Sequence, residues 1–272
     1  FGSHPYGRTN EDVAAYLQNL ERNDLLDFYS ARYRPNSIIV AVVGDVTERE
    51  VLSLFKKYFH SWKQDKMAVP VLTAPPGRDK TEVIKLTKKI TQANIAIGHV
   101  GISRDNPDFY AVSIMNYILG GGGFSSRLMD NIRDNRGLAY DVHSVFAAQK
   151  EPGAFRVWVQ TKNESANEAI TEIHKELDRI RTEPVSEKEL ADAKAYLTGS
   201  FPLRIDTFAK IAGMLTSIEI YGLGLDYPQR YPALINAVTR EDVLRVAKKH
   251  IDPDRMVIVV LGDQEKIKLR NY

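Results

Sequence analysis

The 272-residue sequence contains no cysteine. That excludes disulfides, thiolate metal ligands and a cysteine nucleophile together, and it leaves the compartment open. Long apolar runs are also missing: no stretch approaches the roughly 20 residues needed to span a bilayer. No basic-then-apolar leader opens the chain, which begins at Phe1 rather than Met. The expectation is that the native start lies upstream, together with any targeting signal. Charge of one sign is lacking as well. Lys plus Arg number 37 against 35 Asp plus Glu, a formal net charge of +2. No global field therefore recruits DNA, RNA or an acidic membrane, and pairs such as Lys56-Lys57 and Lys88-Lys89 read as solvated faces.

What remains is the composition of an ordinary globular protein, 43% hydrophobic and 26% charged, with length for one large domain or about two ordinary ones. Its most informative feature is an internal repeat. Residues 22–45 read RNDLLDFYSARYRPNSIIVAVVGD, and residues 240–263 read REDVLRVAKKHIDPDRMVIVVLGD. They align without a gap at an offset of 218, with seven of the 24 positions identical. Each copy reads as an amphipathic helix, a turn at Pro35 or Pro253, and a buried strand ending in Gly-Asp. Such a repeat implies two related domains. Only 21 residues precede the first copy, so most of the first domain is expected upstream of Phe1.

The periodicity predicts helices over 11–20, 24–33 and 47–60, the last opened by a capping box at Thr47 and Glu50, and a strand over 37–43. Residues 63–79, punctuated by Pro70, Pro75, Pro76 and Gly77, read as a linker. Beyond it, strands are predicted near 82–86 and 92–100, and helices over 107–119 and 124–133. An antiparallel pair follows at 138–147 and 154–160. Helices from Ser165 to 181 and from Ser186 to about 221 complete the pattern before the second repeat copy. The fold class is α+β: a two-layer mixed or antiparallel sheet with packed helices. The expected organisation is a C-terminal remnant of a first domain (1–62), a linker (63–79), and a complete second domain (80–272). Asn163-Glu164-Ser165 matches a glycosylation sequon, but helix capping explains it better.

The chemical interest lies in residues 119–140, LGGGGFSSRLMDNIRDNRGLAY. Four consecutive glycines, Gly120, Gly121, Gly122 and Gly123, cost backbone entropy. They form either a bare loop that approaches a ligand or a flexible connector. A phosphate loop is excluded because no Gly-Lys-Ser/Thr follows. Arg133 and Tyr140 stand at a helix end and a strand start, so both can face one cleft. Arg offers a planar set of donors, and Tyr a neutral hydroxyl for a carbonyl or oxyanion. Surface ion pairing and core packing explain such a pair more often than a shared cleft does.

The segment LGGGGFSSRL followed by IRDNRGLAY resembles the second-domain signature of the insulinase and mitochondrial processing-peptidase superfamily of zinc metallopeptidases. HPYGR at 4–8 and RPNSIIVAVVGD at 34–45 also resemble its first-domain segments. The likeness covers nearly the whole chain apart from the linker and is nearest to the compact bacterial branch. It implies that Tyr140 hydrogen-bonds the scissile carbonyl region and helps stabilise the tetrahedral intermediate. It implies that Arg133 holds a substrate backbone carbonyl and that Gly120 to Gly123 help admit an extended or unfolded peptide. A homodimer, or a heterodimer with a related subunit, is the implied assembly.

The family's zinc motif, His-x-x-Glu-His with a downstream Glu, is missing. Histidines stand at 4, 60, 99, 143, 174 and 250, and no two have that spacing. His174, followed by Glu176, reads as a helix-surface residue. The expectation is that this chain holds no metal and is inactive alone, with zinc on the full-length protein or on a partner. The alternatives are a catalytically silent subunit that serves a zinc-bearing partner, and a non-peptidase scaffold like the core subunits of respiratory complexes.

Overall fold

The computed structural model describes residues 1–62, 71–270 and 272. Its elements, in chain order, are α1 (Asn10–Leu17), α2 (Arg22–Arg32), α3 (Glu48–Phe59), β1 (Glu82–Thr87), β2 (Gln92–Val100) and α4 (Phe109–Asn116). There follow β3 (Ala139–Phe146), β4 (Ala154–Lys162), α5 (Ala166–Thr182), α6 (Glu187–Gly199), α7 (Phe208–Tyr221), α8 (Tyr227–Asn236), α9 (Arg240–His250) and β5 (Val257–Gly262). The chain divides into two compact units. One comprises Phe1–Thr73 with Ser200–Pro228, the other Ala74–Gly199 with Gln229–Tyr272. The first half of the expected linker, 63–70, lies outside the described residues.

In the second unit five strands form one mixed sheet in the order β1-β5-β2-β4-β3. β1 and β5 pair in parallel, and the remaining neighbours are antiparallel. Alternation decides which face is covered: Ala93, Ile95 and Ile97 of β2, Phe155, Val157 and Val159 of β4, and Ile258 and Val260 of β5 are buried. The intervening residues are half-exposed or, at Arg156, exposed, as in an antiparallel sheet with helices on one side. Helix α5 supplies Ile170, Ile173, Leu177 and Ile180 to that core. Asp108, at the start of α4, joins α4 to α9. It accepts from Arg245 Nη1 at 2.7 Å, Lys249 Nζ at 2.7 Å and His250 Nε2 at 2.8 Å. Burial alone would raise this carboxyl, but the three bonds more than reverse that and hold it well below the usual range.

The first unit contains α1 to α3 and α7, with α3 opened by the expected box: Thr47 N–H donates to Glu50 Oε2 at 2.8 Å, and Glu50 N–H to Thr47 Oγ1 at 3.3 Å. The repeat is visible here residue for residue. α2 and α9 share bounds at the offset of 218, as do the 3-10 turns Pro35–Ser37 and Pro253–Arg255. The strand is where they part. β5 lies between β1 and β2, whereas 37–43, expected as a strand, has no ladder partner among the described residues and forms none. Backbone groups make a strand only where a neighbour pairs with them. Burial differs in the same way. Val243, Val246, Met256, Ile258 and Val260 are at most 1% exposed, while their counterparts Leu25, Phe28, Ile38, Val40 and Val42 are 37–59% exposed. A Cβ on Gly262 would meet Asn163 Oδ1 at 2.7 Å; on Gly44 it meets nothing.

Three further expectations differ from the structure. The helix expected from Ser186 to 221 is two helices. It breaks after Gly199 into a 3-10 turn, Phe201–Arg204, where Pro202 cannot donate to a continuing helix. The expected helix 124–133 is a 3-10 turn, Gly123–Ser125, and then a π-helical stretch, Met129–Asn135. Ser165 occupies the N-cap of α5 without a side-chain bond. Asn163 is instead buried, its Nδ2 donating to the Ile90 carbonyl at 2.7 Å and its Oδ1 accepting from Asp263 N–H at 3.2 Å.

Candidate functional site

Three local devices in the second unit bring residues 117–140 together. The first is the glycine run. Helix α4 passes into a π-helical turn, Tyr117–Gly121, closed by Gly122 N–H donating to the Tyr117 carbonyl at 2.8 Å. A Cβ on Gly120 would lie 2.7 Å from Ser144 N and from Leu128 Cδ1. One on Gly121 would lie 2.7 Å from Asn116 Nδ2, and one on Gly122 2.7 Å from the Tyr117 carbonyl oxygen. Gly123 adopts the left-handed region at φ +57°. Close packing thus accounts for three of the four glycines and backbone hand for the fourth.

The second device aims Tyr140. Along β3 the register with β4 shifts between Ala139, opposite Thr161, and Val142, opposite Val159. Two residues of β3 therefore stand against Gln160 alone, a β-bulge. Val142 and Ser144 are buried, so strict alternation would turn Tyr140 inward with them. The bulge releases it, and Tyr140 is 86% exposed.

The third device holds Arg133. Its guanidinium carbon lies 4.7 Å from the Phe124 ring centroid and 5.7 Å from that of Tyr140. Its Nη1 donates to Asp134 Oδ1 at 2.7 Å. The stretch that carries Arg133 is anchored at several points. Arg127, buried at its start, makes a bidentate pair with Glu189 of α6: Nε to Oε1 at 2.6 Å and Nη2 to Oε2 at 3.1 Å. Glu189 Oε2 also accepts from Ser186 N–H at 2.7 Å, capping α6. Burial alone would raise the Glu189 carboxyl, but these bonds hold it down to about 2. Farther on, Asn131 Nδ2 donates to Glu176 Oε1 at 2.9 Å and Glu172 Oε2 at 3.3 Å of α5. Arg136 Nε donates to Asn131 Oδ1 at 2.8 Å. Burial pushes the Glu176 carboxyl up, despite nearby Arg179 and Asn131.

The outer edge of β3 is partly occupied beside this site. Val142 N–H points to Met129 Sδ at 3.5 Å, and the Ser144 carbonyl accepts from Asn116 Nδ2 at 3.1 Å. These two edge groups are already taken, so beside them the site offers a ligand mainly side chains. The expected residues Arg133 and Tyr140 do come together. Phe124, the anchoring pair Arg127–Glu189, and Asn131 were not anticipated. An aromatic directly after a glycine run is a signal that could have marked Phe124, whereas partners 62 residues apart leave no local pattern.

The histidines hold other positions. His99 accepts from Asp252 N–H at 3.3 Å, His143 pairs with Asp141 at 3.0 Å, and His4 caps the 3-10 turn Pro5–Gly7. His174 is half-buried, with its Nε2 enclosed, and burial lowers its imidazole. Among the described residues no three His, Asp or Glu side chains converge as a metal site. No helix among them is long and apolar enough to cross a membrane.

The mixed α+β fold falls in a class that comparison with known proteins identifies. The sequence matches the family described as peptidase M16 inactive domain over residues 19–197, and the chain belongs to that family. An uncharacterized zinc protease of Streptomyces coelicolor is 26% identical over 281 residues, covering 100% of this chain and 60% of that protein. A probable mitochondrial-processing peptidase subunit beta of Schizosaccharomyces pombe is 26% identical, covering 97% and 60%. A protein of Helicobacter pylori named a non-peptidase homolog is 23% identical, covering 98% and 62%. The crystal structure of a peptidase M16 inactive domain from Pseudomonas fluorescens matches with a TM-score of 0.87 and 29% identity, over 96% of this chain and 62% of that one. The chain thus spans about three-fifths of the length of these relatives.

Proposed function

We propose that this chain is the substrate-holding, metal-free portion of a zinc-dependent metalloendopeptidase. In this reading Tyr140 donates its hydroxyl to the scissile carbonyl region of an extended peptide, stabilising negative charge as it develops on that oxygen. Arg133 donates to a neighbouring backbone carbonyl and fixes the peptide's register. The glycine turn positions the adjoining surface. The observation that carries the reading is the placement of Arg133 against an 86% exposed Tyr140 whose direction is set by a bulge. An outward bulge has no use in core packing and re-aims a side chain. Residues 1–62 are proposed as the end of a related, metal-bearing first domain and 80–272 as the second. The exposed apolar positions of the first repeat copy support this. The chain alone is inactive, and zinc resides on the remainder of the protein or on a related subunit in a homodimer or heterodimer.

The second reading, a non-catalytic subunit that presents the same residues to a zinc-bearing partner, is favoured by the Helicobacter pylori relative named a non-peptidase homolog. Zinc content and hydrolysis of an unstructured peptide by the full-length protein decide between them. About one zinc per chain with hydrolysis supports the first. No zinc, with hydrolysis only after a related subunit is added, supports the second.

A further inference from the structure

Resting on the peptide-holding reading above, we infer that the surface continues from Tyr140 and Arg133 into a side-chain subsite made by Phe124, Tyr117 and Tyr196, which takes a large apolar or aromatic side chain of the bound peptide.

Phe124 is 70% exposed, a costly placement for a ring without polar atoms. It is held there by a turn tied on its far side. Ser125 Oγ donates to the Gly122 carbonyl at 2.8 Å, and Ser126 Oγ to the Gly123 carbonyl at 2.7 Å. The left-handed Gly123 reverses the chain just before the ring. The Arg133 guanidinium against the ring fixes its orientation. On the other side Ser125 Oγ lies 3.5 Å from the Tyr117 hydroxyl, and the Tyr117 ring packs at 4.9 Å on Tyr196, which is 56% exposed. Contacts, together with the chain step from Phe124 to Ser125, therefore link Tyr140 through Arg133, Phe124, Ser125 and Tyr117 to Tyr196.

Rings fixed in place before binding lose little entropy when a ligand covers them, and exposed aromatics of this kind supply most of the energy at recognition sites. The nearest cation already has a partner, because Arg133 is paired with Asp134. The uncompensated chemistry of the strip is apolar, and it selects an apolar or aromatic residue rather than an acidic one. With the Val142 N–H and the Ser144 carbonyl of the β3 edge taken, side-chain contacts set the preference.

The test uses the full-length protein and a set of peptides that differ at single positions among Ala, Leu and Phe. For wild type, kcat/KM is expected to be highest for Leu or Phe at one position. Phe124→Ala should lower kcat/KM for that peptide by roughly tenfold more than for its Ala counterpart, with Phe124→Leu recovering part of the loss and Tyr196→Ala acting in the same direction. An equal fall for every peptide, or no fall, overturns the inference in favour of a structural role. If wild type cleaves no peptide, the peptidase reading fails by itself. The subsite is then judged by fluorescence anisotropy of the labelled peptides, where Phe124→Ala must weaken the Leu and Phe peptides selectively or the inference is wrong.

Discussion

Replacing Glu189 by glutamine keeps the shape of the side chain and removes the charge that faces Arg127. Arg127 is almost wholly buried, and its Nη1 has no hydrogen-bond partner among the described residues, so its other nitrogens depend on Glu189. The magnitude can be worked in two ways. Against burial, which would raise it, the Glu189 carboxyl is held down from 4.5 to about 2 by Arg127 and Ser186 together. The shift is equivalent to about 3–4 kcal/mol at roughly 1.4 kcal/mol per unit, and the Arg127 bond is the largest single contribution to it. Breaking a buried ion pair by removing one partner costs about 3–5 kcal/mol. A loss of about 3 kcal/mol at pH 7 is the expectation. Because the folded carboxyl titrates below its unfolded value, this stability is fully present above about pH 4.5. It drains away as pH falls toward about 2, so wild type and variant should converge over that window. The assay is urea unfolding at a series of pH values, read by Trp158 fluorescence in a Trp62→Phe background, which leaves one tryptophan, within the sheet. A difference below about 1 kcal/mol, the scale of an exposed pair, or one that does not shrink on acidification, would refute the argument that Arg127–Glu189 anchors the segment bearing Arg133.

Gly120→Ala should destabilise the second unit by about 1–3 kcal/mol, because its Cβ would press on Ser144 and Leu128. Gly123→Ala, with open space but a left-handed backbone, should cost about 1–2 kcal/mol. The same unfolding assay checks both. Glu176→Gln should leave stability at pH 7 equal or higher, since burial raises that carboxyl and its charge is a liability when ionised. Any gain should disappear as pH falls below the ordinary 4.5, where both states of wild type are protonated. A clear loss at pH 7 would show that the Glu176 charge stabilises Asn131 and its neighbours.

Much of this architecture could be read from the chain because local chemistry and tertiary context agree. β2 occupies 92–100 as its alternation requires, and α3 begins where Thr47 and Glu50 place it. The repeat located α2 and α9 with matching bounds. The strand expected at 37–43 shows the opposite case. Its apolar residues are those of a central strand, but a strand is a property of a pair, and 37–43 pairs with no strand among the described residues. Arg133 and Tyr140 could be singled out in the chain, but the geometry that brings them together could not, and neither could Phe124, Asn131 or the Arg127–Glu189 pair. Nothing in the period of 138–147 reveals a bulge, yet the bulge turns Tyr140 outward. The π-helical turns at Tyr117–Gly121 and Met129–Asn135 likewise have no local signature. They depend on Gly120 lying against β3 and on Asn131 reaching α5, contacts between residues far apart in sequence.

The most direct measurement of the central claim is the steady-state kinetics of Tyr140→Phe in the full-length protein on an unstructured peptide, with zinc content determined in parallel. Tyr140 is exposed, so losing its hydroxyl should leave folding and zinc content intact. If that hydroxyl supports the developing oxyanion, kcat should fall by about a hundredfold or more while KM changes little. An unchanged kcat in a zinc-loaded, active protein would contradict the account.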